Sequence, residues 1–199
     1  MKILLIGASG TIGKRIAERL SKKHEIVRAG RKGGDVSVDI TSAASIEEMY
    51  KAIENVDAVI SAAGPSKVAP FAEITEEDFY TNIRGKLMGQ INLVRIGQKY
   101  VNDNGSFTLT TGILVDHPIV GSTAGSMSNG GINSFVLAAA QELPRGIRIN
   151  VVCPNVVEDS AEKYAEAFAG FDPVPMSKVV NGYVRSVESR INGQIIKIY

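Results

Sequence analysis

The feature that most constrains this chain is a glycine-rich segment directly after its first apolar run. Residues 3–6 are continuously apolar and lead into residues 7–13, which read GASGTIG; Ile16 and Leu20 then recur at helical spacing. A buried strand that ends in glycines and opens a helix is the arrangement that holds a pyrophosphate, because the helix N-terminus offers unpaired N–H groups. We therefore predict a dinucleotide site here, with Gly7 allowing the tight turn, Gly10 the approach of phosphate, and Gly13 close packing of helix on strand.

Short β-rich runs alternate with helical patterns along all 199 residues. This alternation predicts an α/β, Rossmann-type doubly wound parallel sheet of about seven strands with helices on both faces, in one domain spanning residues 1–199. The predicted strands lie near residues 3–6, 25–29, 36–38, 56–60, 106–110, 147–152 and 194–197. Two long helices are predicted at about 76–99 and 122–143, and shorter ones follow residue 12 and lie near 46–53, 161–169 and 177–187.

Composition argues against several classes of partner. A formal net charge of +1 gives no electrostatic reason to expect nucleic acid or an anionic membrane surface. No apolar run approaches the ~20 residues of a membrane span, and no His, Cys and Asp cluster has the spacing of metal ligands. The single cysteine, Cys153, has no internal disulfide partner, which predicts a reducing, cytoplasmic setting. The expected partner is a small-molecule substrate.

The end of the second predicted strand bears on the choice of dinucleotide. An acidic residue there binds the adenosine ribose 2′-hydroxyl, whereas an arginine accommodates a 2′-phosphate. Residues 27–32 read VRAGRK and contain no carboxylate, and Arg31 is suited to bidentate pairing with phosphate. We predict that NADP(H) is preferred, with NAD(H) as the alternative if these cations form only a solvated basic turn.

Further motifs, in order along the chain, resemble the short-chain dehydrogenase/reductase family. They are Asp39-Ile40-Thr41, Ser61-Ala62-Ala63-Gly64, Asn82 in TNIRG, the run GIRINVVCPN at 146–155, and GQII at 193–196. The resemblance implies that Asp39 contacts adenine and that the segment after the sixth strand lies against nicotinamide. The cofactor contacts expected from the turn and the resemblance together are Gly7, Ser9, Gly10, Thr11, Ile12, Gly13, Arg31, Asp39, Ile40, Ala62, Ala63, Gly64, Pro154 and Val156.

The active-site motif of that family is missing. Its members carry a serine after the fifth strand and Tyr-x-x-x-Lys on the next helix, where tyrosine gives the proton, lysine lowers its pKa, and serine steadies the substrate oxygen. Here the tyrosine and lysine positions fall on Gly125 and Asn129. The serine position falls on Thr111 or Gly112, of which Thr111 keeps a hydroxyl.

The remaining candidates for catalysis are Thr111, Asn82, which matches the family's helix asparagine, and His117, whose imidazole titrates near neutral pH. Arg84, Lys86 and Arg95 are predicted on the outer face of their helix. Two hypotheses stay open: an NADP(H)-dependent oxidoreductase of a small carbonyl or hydroxyl compound with a non-standard active site, or a catalytically inactive NADP(H)-binding sensor or regulatory protein.

Both long helices carry more apolar and small residues than one core-facing side requires, among them Met88, Ile96, Ala138 and Ala140. In the family that the chain resembles, these helices form a four-helix interface between subunits. The resemblance therefore implies a homodimer or homotetramer.

Overall fold

A computed structural model describes residues 1–64 and 68–199. Within these ranges, seven strands form a single parallel sheet in the order β3-β2-β1-β4-β5-β6-β7. The strands are β1 (Lys2–Ile6), β2 (Glu25–Gly30), β3 (Val36–Ser37), β4 (Val56–Ser61), β5 (Val101–Thr110), β6 (Arg148–Pro154) and β7 (Ile195–Ile198). The predicted doubly wound α/β fold is confirmed.

Helices cover both faces of the sheet. They are α1 (Thr11–Leu20), α2 (Ala43–Ala52), α3 (Glu76–Asn82), α4 (Gly89–Gly97), α5 (Thr123–Glu142), α6 (Ala161–Tyr164) and α7 (Met176–Glu188). One apolar layer lies between the sheet and the α2, α4 and α5 side, and the other between the sheet and α1 with α7. Strands buried on both faces explain the continuous apolar runs at residues 3–6 and 151–153.

Strand β5 begins at Val101, five residues before the predicted start. Val56 pairs with Val101, but Ala58 pairs with Ser106, so residues 102–105 form an irregular bulge on β5. Asn104 has a left-handed φ of 61° within it. The polar residues of this bulge are typical of a turn, and for this reason the sequence pattern did not predict that the strand begins at Val101.

The predicted helix at 76–99 is present, but its middle is irregular. Ile83–Met88 forms a π-helical segment between α3 and α4. The apolar residues at helical spacing predict a core-facing row of Phe79, Ile83, Leu87, Ile91 and Val94. Only Val94 is buried, and the other four are half-buried. Most of the buried residues are instead small or polar, namely Asn82, Gly85, Gly89, Gln90 and Gly97, and only Leu93 and Val94 are large and apolar. The face prediction was wrong because small residues let the helix lie close to its neighbours: a Cβ at Gly97 would come 2.5 Å from the Tyr50 ring.

The order of strands reverses between β1 and β4. The chain runs from β1 outward to β3, then crosses to β4 on the other side of β1. In open α/β sheets, ligands bind outside the carboxyl ends of the strands at such a switch point. The glycine-rich turn follows β1 and the Ser61–Gly64 segment follows β4, so both lie at this edge.

Candidate functional site

The glycine-rich turn has the geometry of a phosphate-binding turn. Gly7 adopts a φ of +82°, and its N–H donates to the Ala29 carbonyl at 3.0 Å. Gly10 caps α1 without any side-chain hydrogen bond to the helix N-terminus. The first turn of α1 also holds no acidic side chain. Free N–H groups at a helix N-terminus favour an anion.

Close packing makes two of these glycines necessary. A Cβ at Gly7 would lie 2.8 Å from the Ala62 carbonyl oxygen, and one at Gly13 would lie 2.1 Å from the Gly7 carbonyl oxygen. A Cβ at Gly10 meets only the Gly7 oxygen, at 3.3 Å. Gly13 therefore serves the contact of helix with strand, while Gly10 leaves room on the outer side of the turn.

A cavity of about 610 Å³ runs from this turn across the ends of β2 and β3. Its lining includes seven of the predicted cofactor residues: Gly7, Ser9, Arg31, Asp39, Ile40, Ala63 and Gly64. Asp39 accepts from the Thr41 backbone N–H at 2.9 Å and from the Thr41 hydroxyl at 2.8 Å. These two bonds hold the pKa of the Asp39 carboxyl below its ordinary value, with Arg31 adding a smaller effect.

The rim of this cavity near β2 is basic. Arg31 and Lys32 both line it and are exposed. The nearby Asp35 is turned away to the backbone, where its carboxylate accepts from the Arg28 N–H at 2.8 Å. Among the residues described at this rim, the cations therefore face the cavity without a competing carboxylate from the β2–β3 loop.

A second cavity, of about 640 Å³, continues along the same edge toward β5 and β6, and it shares Gly64 with the first. Its lining includes Thr11, Ile12, Thr111, Asn129, Pro154 and Val156. Most of its surface is apolar, from side chains such as Ile113, Ile119, Val157 and Phe168. Together the two cavities form one continuous groove past the ends of six strands, β1 to β6.

Thr111 is held firmly at the end of β5. The Gln90 side chain, fully buried, donates to the Thr110 carbonyl and accepts from the Thr110 N–H, both at 2.9 Å. The Thr111 N–H donates to the Val152 carbonyl, and its hydroxyl donates to Asn133 Oδ1 at 3.1 Å. Sequence reasoning missed Gln90 and Asn133, since buried amides within a helix have no sequence signature of their own.

The positions of the absent tyrosine and lysine lie on α5, where Gly125 and Asn129 are both buried. Asn129 Oδ1 has no hydrogen-bond partner in the described part of the chain, although the side chain is only 3% exposed. Asn129 also lines the second cavity. A buried acceptor without a partner, in a residue that lines a cavity, indicates a site for a ligand's hydroxyl or amide group.

The other two catalytic candidates lie elsewhere. Asn82 is fully buried, and its Nδ2 donates to the Asp78 carbonyl at 3.0 Å. His117 is exposed, and its ring makes edge contacts with Phe171 and Tyr199, with centroids 6.4 and 6.0 Å away. Neither is among the described residues that line the two cavities.

Lys86 is placed differently from the prediction. Its side chain leaves the π-helical segment and lines the second cavity beside Thr111 and Asn129, and it is not on the outer face of the helix. The prediction was wrong because it assumed a regular α-helical periodicity, whereas residues 83–88 are wound as a π-helix. The different winding changes which side chains of this segment are buried. Burial lowers the pKa of the Lys86 ammonium below its ordinary value. Tyr164, on α6, is a further protic residue of this cavity that the sequence did not point to.

Metal chemistry finds no support in the described ranges. No group of three or more His, Cys, Asp or Glu side chains is arranged there to hold a metal ion. In residues 1–64 and 68–199, no helix has the length and hydropathy needed to cross a membrane.

Comparison with known proteins now decides the family. The family model described as enoyl-(acyl carrier protein) reductase matches residues 6–183. The chain belongs to the short-chain dehydrogenase/reductase family. The predicted resemblance is thereby confirmed, and with it membership of a family of oxidoreductases that bind nicotinamide cofactors.

Individual relatives span a wide range of similarity. The mouse protein named 3-oxoacyl-[acyl-carrier-protein] reductase is 24% identical over 181 residues, which cover 80% of this chain and 77% of the relative. The crystal structure of the protein lin1944 from Listeria innocua is 50% identical, with a TM-score of 0.99 and full coverage of both chains. A small-chain dehydrogenase solved in complex with NADPH is 20% identical, with a TM-score of 0.86, covering 100% of this chain and 96% of the other; that likeness supports the fold alone.

Proposed function

We propose that this protein is an NADP(H)-dependent oxidoreductase of a small carbonyl or hydroxyl compound. The observation that carries the proposal is the continuous groove: one cavity at the glycine-rich turn and a second at Thr111 and Asn129, joined at Gly64. The residues fit a dinucleotide, because the N-terminus of α1 is free of side-chain caps and Asn129 offers an open buried acceptor. When bound, NADPH supplies hydride to a carbonyl carbon.

The preference for NADP(H) over NAD(H) rests on the basic rim. Arg31 and Lys32 line the end of the groove where adenosine would bind. The Asp35 carboxylate already accepts a hydrogen bond from the Arg28 backbone N–H. A charge-assisted hydrogen bond to a phosphate contributes about 1.5–3 kcal/mol. NADPH should therefore bind at least about tenfold more tightly than NADH.

Isothermal titration with both cofactors tests this preference. Arg31→Ala should weaken NADPH binding at least about tenfold and leave NADH binding unchanged. Arg185→Ala, which removes an exposed arginine on α7 away from both cavities, is the matched control. Tighter binding of NADH than of NADPH by the wild-type protein would overturn the preference.

The second cavity supports a small and largely apolar substrate. Its lining carries Ile113, Ile119, Val157 and Phe168. The Thr111 hydroxyl donates to Asn133, and its oxygen can still accept a hydrogen bond from a substrate hydroxyl. The cavity volume of about 640 Å³ also has to hold the nicotinamide end of the cofactor. A panel of aldehydes and ketones of increasing apolar size, followed by NADPH absorbance, tests this proposal; no oxidation of NADPH with any of them would remove its main support.

One observation favours the alternative of a cofactor-binding sensor without turnover. The tyrosine and lysine positions of the family are Gly125 and Asn129, and glycine has no side chain to give a proton. A sensor should bind NADPH without oxidising it and change its self-association on binding. Light scattering with and without NADPH tests this alternative, and identical association states would count against it.

We also propose that the protein is a homodimer or homotetramer in the cytoplasm, where its single thiol stays reduced. A groove of about 350 Å³ runs between α4 and α5, lined by Ile91, Phe135, Ala138 and Leu143 among others, and Leu137 beside it is 49% exposed. An apolar stripe along two adjacent long helices suits a second copy of the same helices. A monomer by light scattering at micromolar concentration would refute this assembly.

A further inference from the structure

The second cavity contains one charged side chain among the described residues that line it, and this is Lys86. No described acidic residue lines the same cavity, and no hydrogen bond or ion pair of the described residues involves the Lys86 ammonium. Long cations in partly buried positions are usually paired with a carboxylate. An unpaired ammonium in a cavity with an open amide acceptor indicates that its partner is a ligand.

The fold explains how the helix delivers this side chain to the cavity. Lys86 lies in the π-helical segment Ile83–Met88, and such segments are frequent at functional sites because the wider turn re-aims side chains. Gly64 makes room for it: a Cβ there would lie 3.2 Å from Lys86 Cγ. The lysine stem therefore packs against the turn that joins the two cavities.

The other protic groups of this cavity are less suited to giving a proton. The Thr111 hydroxyl donates to Asn133, and the Ser122 hydroxyl donates to the Ile119 carbonyl at 2.7 Å. Tyr164 lies on a helix of only four residues and is 42% exposed. Burial also lowers the pKa of Lys86, which makes its proton easier to release than that of an exposed lysine.

We propose that Lys86 is the catalytic residue that replaces the missing tyrosine and lysine, reaching the reaction site from the π-helical segment that packs beside α5. As hydride reaches the carbonyl carbon, one N–H bond of the ammonium breaks and an O–H bond forms on the substrate oxygen. Lys86 is left as a neutral amine, which regains a proton from water at the open side of the cavity. Asn129 accepts a hydrogen bond from the nicotinamide ribose. This inference rests on the proposed function.

Cofactor binding tests the placement of Lys86 without using activity. A lysine ammonium near the nicotinamide disfavours the positively charged ring of NADP⁺ relative to the neutral ring of NADPH. Lys86→Met and Lys86→Gln should lower the ratio of the Kd of NADP⁺ to that of NADPH by about tenfold, since the repulsion is removed. Lys86→Arg keeps the charge and should keep the ratio. Lys178→Met, on an exposed face of α7, is the matched control.

Turnover tests the proton step, with the carbonyl compound that the wild-type protein reduces fastest. Lys86→Met should lower kcat by about 10²-fold or more, while Lys178→Met, which lies outside both cavities, should not. A wild-type protein that binds no NADP(H), or reduces nothing in the panel, overturns the proposed function and this inference together. Binding and turnover that are intact in the wild type and unchanged in Lys86→Met and Lys86→Gln overturn the Lys86 assignment alone. Circular dichroism of each variant verifies the fold.

Discussion

Gly13→Ala separates the structural role of the glycine-rich turn from its role in binding. The added methyl would come 2.1 Å from the Gly7 carbonyl oxygen and 3.0 Å from Ala8 Cα, both backbone atoms that cannot rotate away. Relief requires α1 to move off β1 by about 1 Å, and overpacking of this kind costs about 1–3 kcal/mol. The movement also threatens the hydrogen bond that the Gly10 N–H donates to the same oxygen, which contributes about 1 kcal/mol.

Alanine is a better helix former than glycine by about 1 kcal/mol, so the gain in helix propensity roughly cancels the lost hydrogen bond. The net expectation is a loss of about 1–3 kcal/mol in the free energy of unfolding, measured by urea denaturation. The melting temperature should fall by about 2–4 °C for each kcal/mol in a chain of this length. Both losses should appear without any cofactor present.

Gly10→Ala is the matched control for the same turn. Its methyl would lie 3.3 Å from the Gly7 oxygen, and Gly10 has a φ of −74° that alanine adopts without strain. Stability should stay near that of the wild type, whereas NADPH affinity should fall because the methyl occupies the space where phosphate approaches. A Gly13→Ala protein as stable as the wild type would refute the packing argument.

Further predictions address single side chains. Thr111→Val should lower kcat by about tenfold with the NADPH Kd unchanged, because it removes the oxygen that accepts from a substrate hydroxyl and leaves Asn133 Oδ1 without its donor; titration and steady-state kinetics measure both. His117→Ala should turn over as fast as the wild type, since the His117 ring packs against Phe171 and Tyr199. A loss of turnover in this variant, in which Lys86 is intact, would assign the proton-donor role to His117. Phe135→Glu should shift the protein toward monomer in light scattering, because it places a charge in the groove between α4 and α5. Thr41→Val should raise the pKa of Asp39 toward 3.8, measured by ¹³C NMR, because the hydroxyl bond is lost and the backbone bond stays. Above pH 3.8 the ionised Asp39 of the wild type stabilises the fold, and this stability is lost as the pH falls through the lower pKa that Asp39 has in the folded protein. The free energy of unfolding of the variant should therefore fall less on acidification.

Local and repetitive information made much of the fold predictable. Residues 3–6 and the glycines that follow them specify a strand, a turn and a helix within one short segment, and the structure has all three. The alternation of apolar runs with helical patterns likewise predicted the parallel sheet. Where the pattern was interrupted, the prediction failed: the bulge at residues 102–105 concealed the start of β5, and the π-helical segment shifted the buried face of the helix that carries Lys86.

What the sequence determined by itself is the feature on which the fold depends: a glycine-rich turn between the first strand and helix, with an arginine and no carboxylate after the second strand. These properties follow from residues that are adjacent in the chain, and their geometry is set by steric limits on the backbone. Only the tertiary structure decided which side chains meet across the groove. Lys86, Thr111 and Asn129 are far apart in sequence, and one irregular turn of helix is enough to bring the lysine from the expected surface into the cavity. The physical reason is that a side chain's direction depends on the exact winding of its helix and on the space that a glycine such as Gly64 leaves for it.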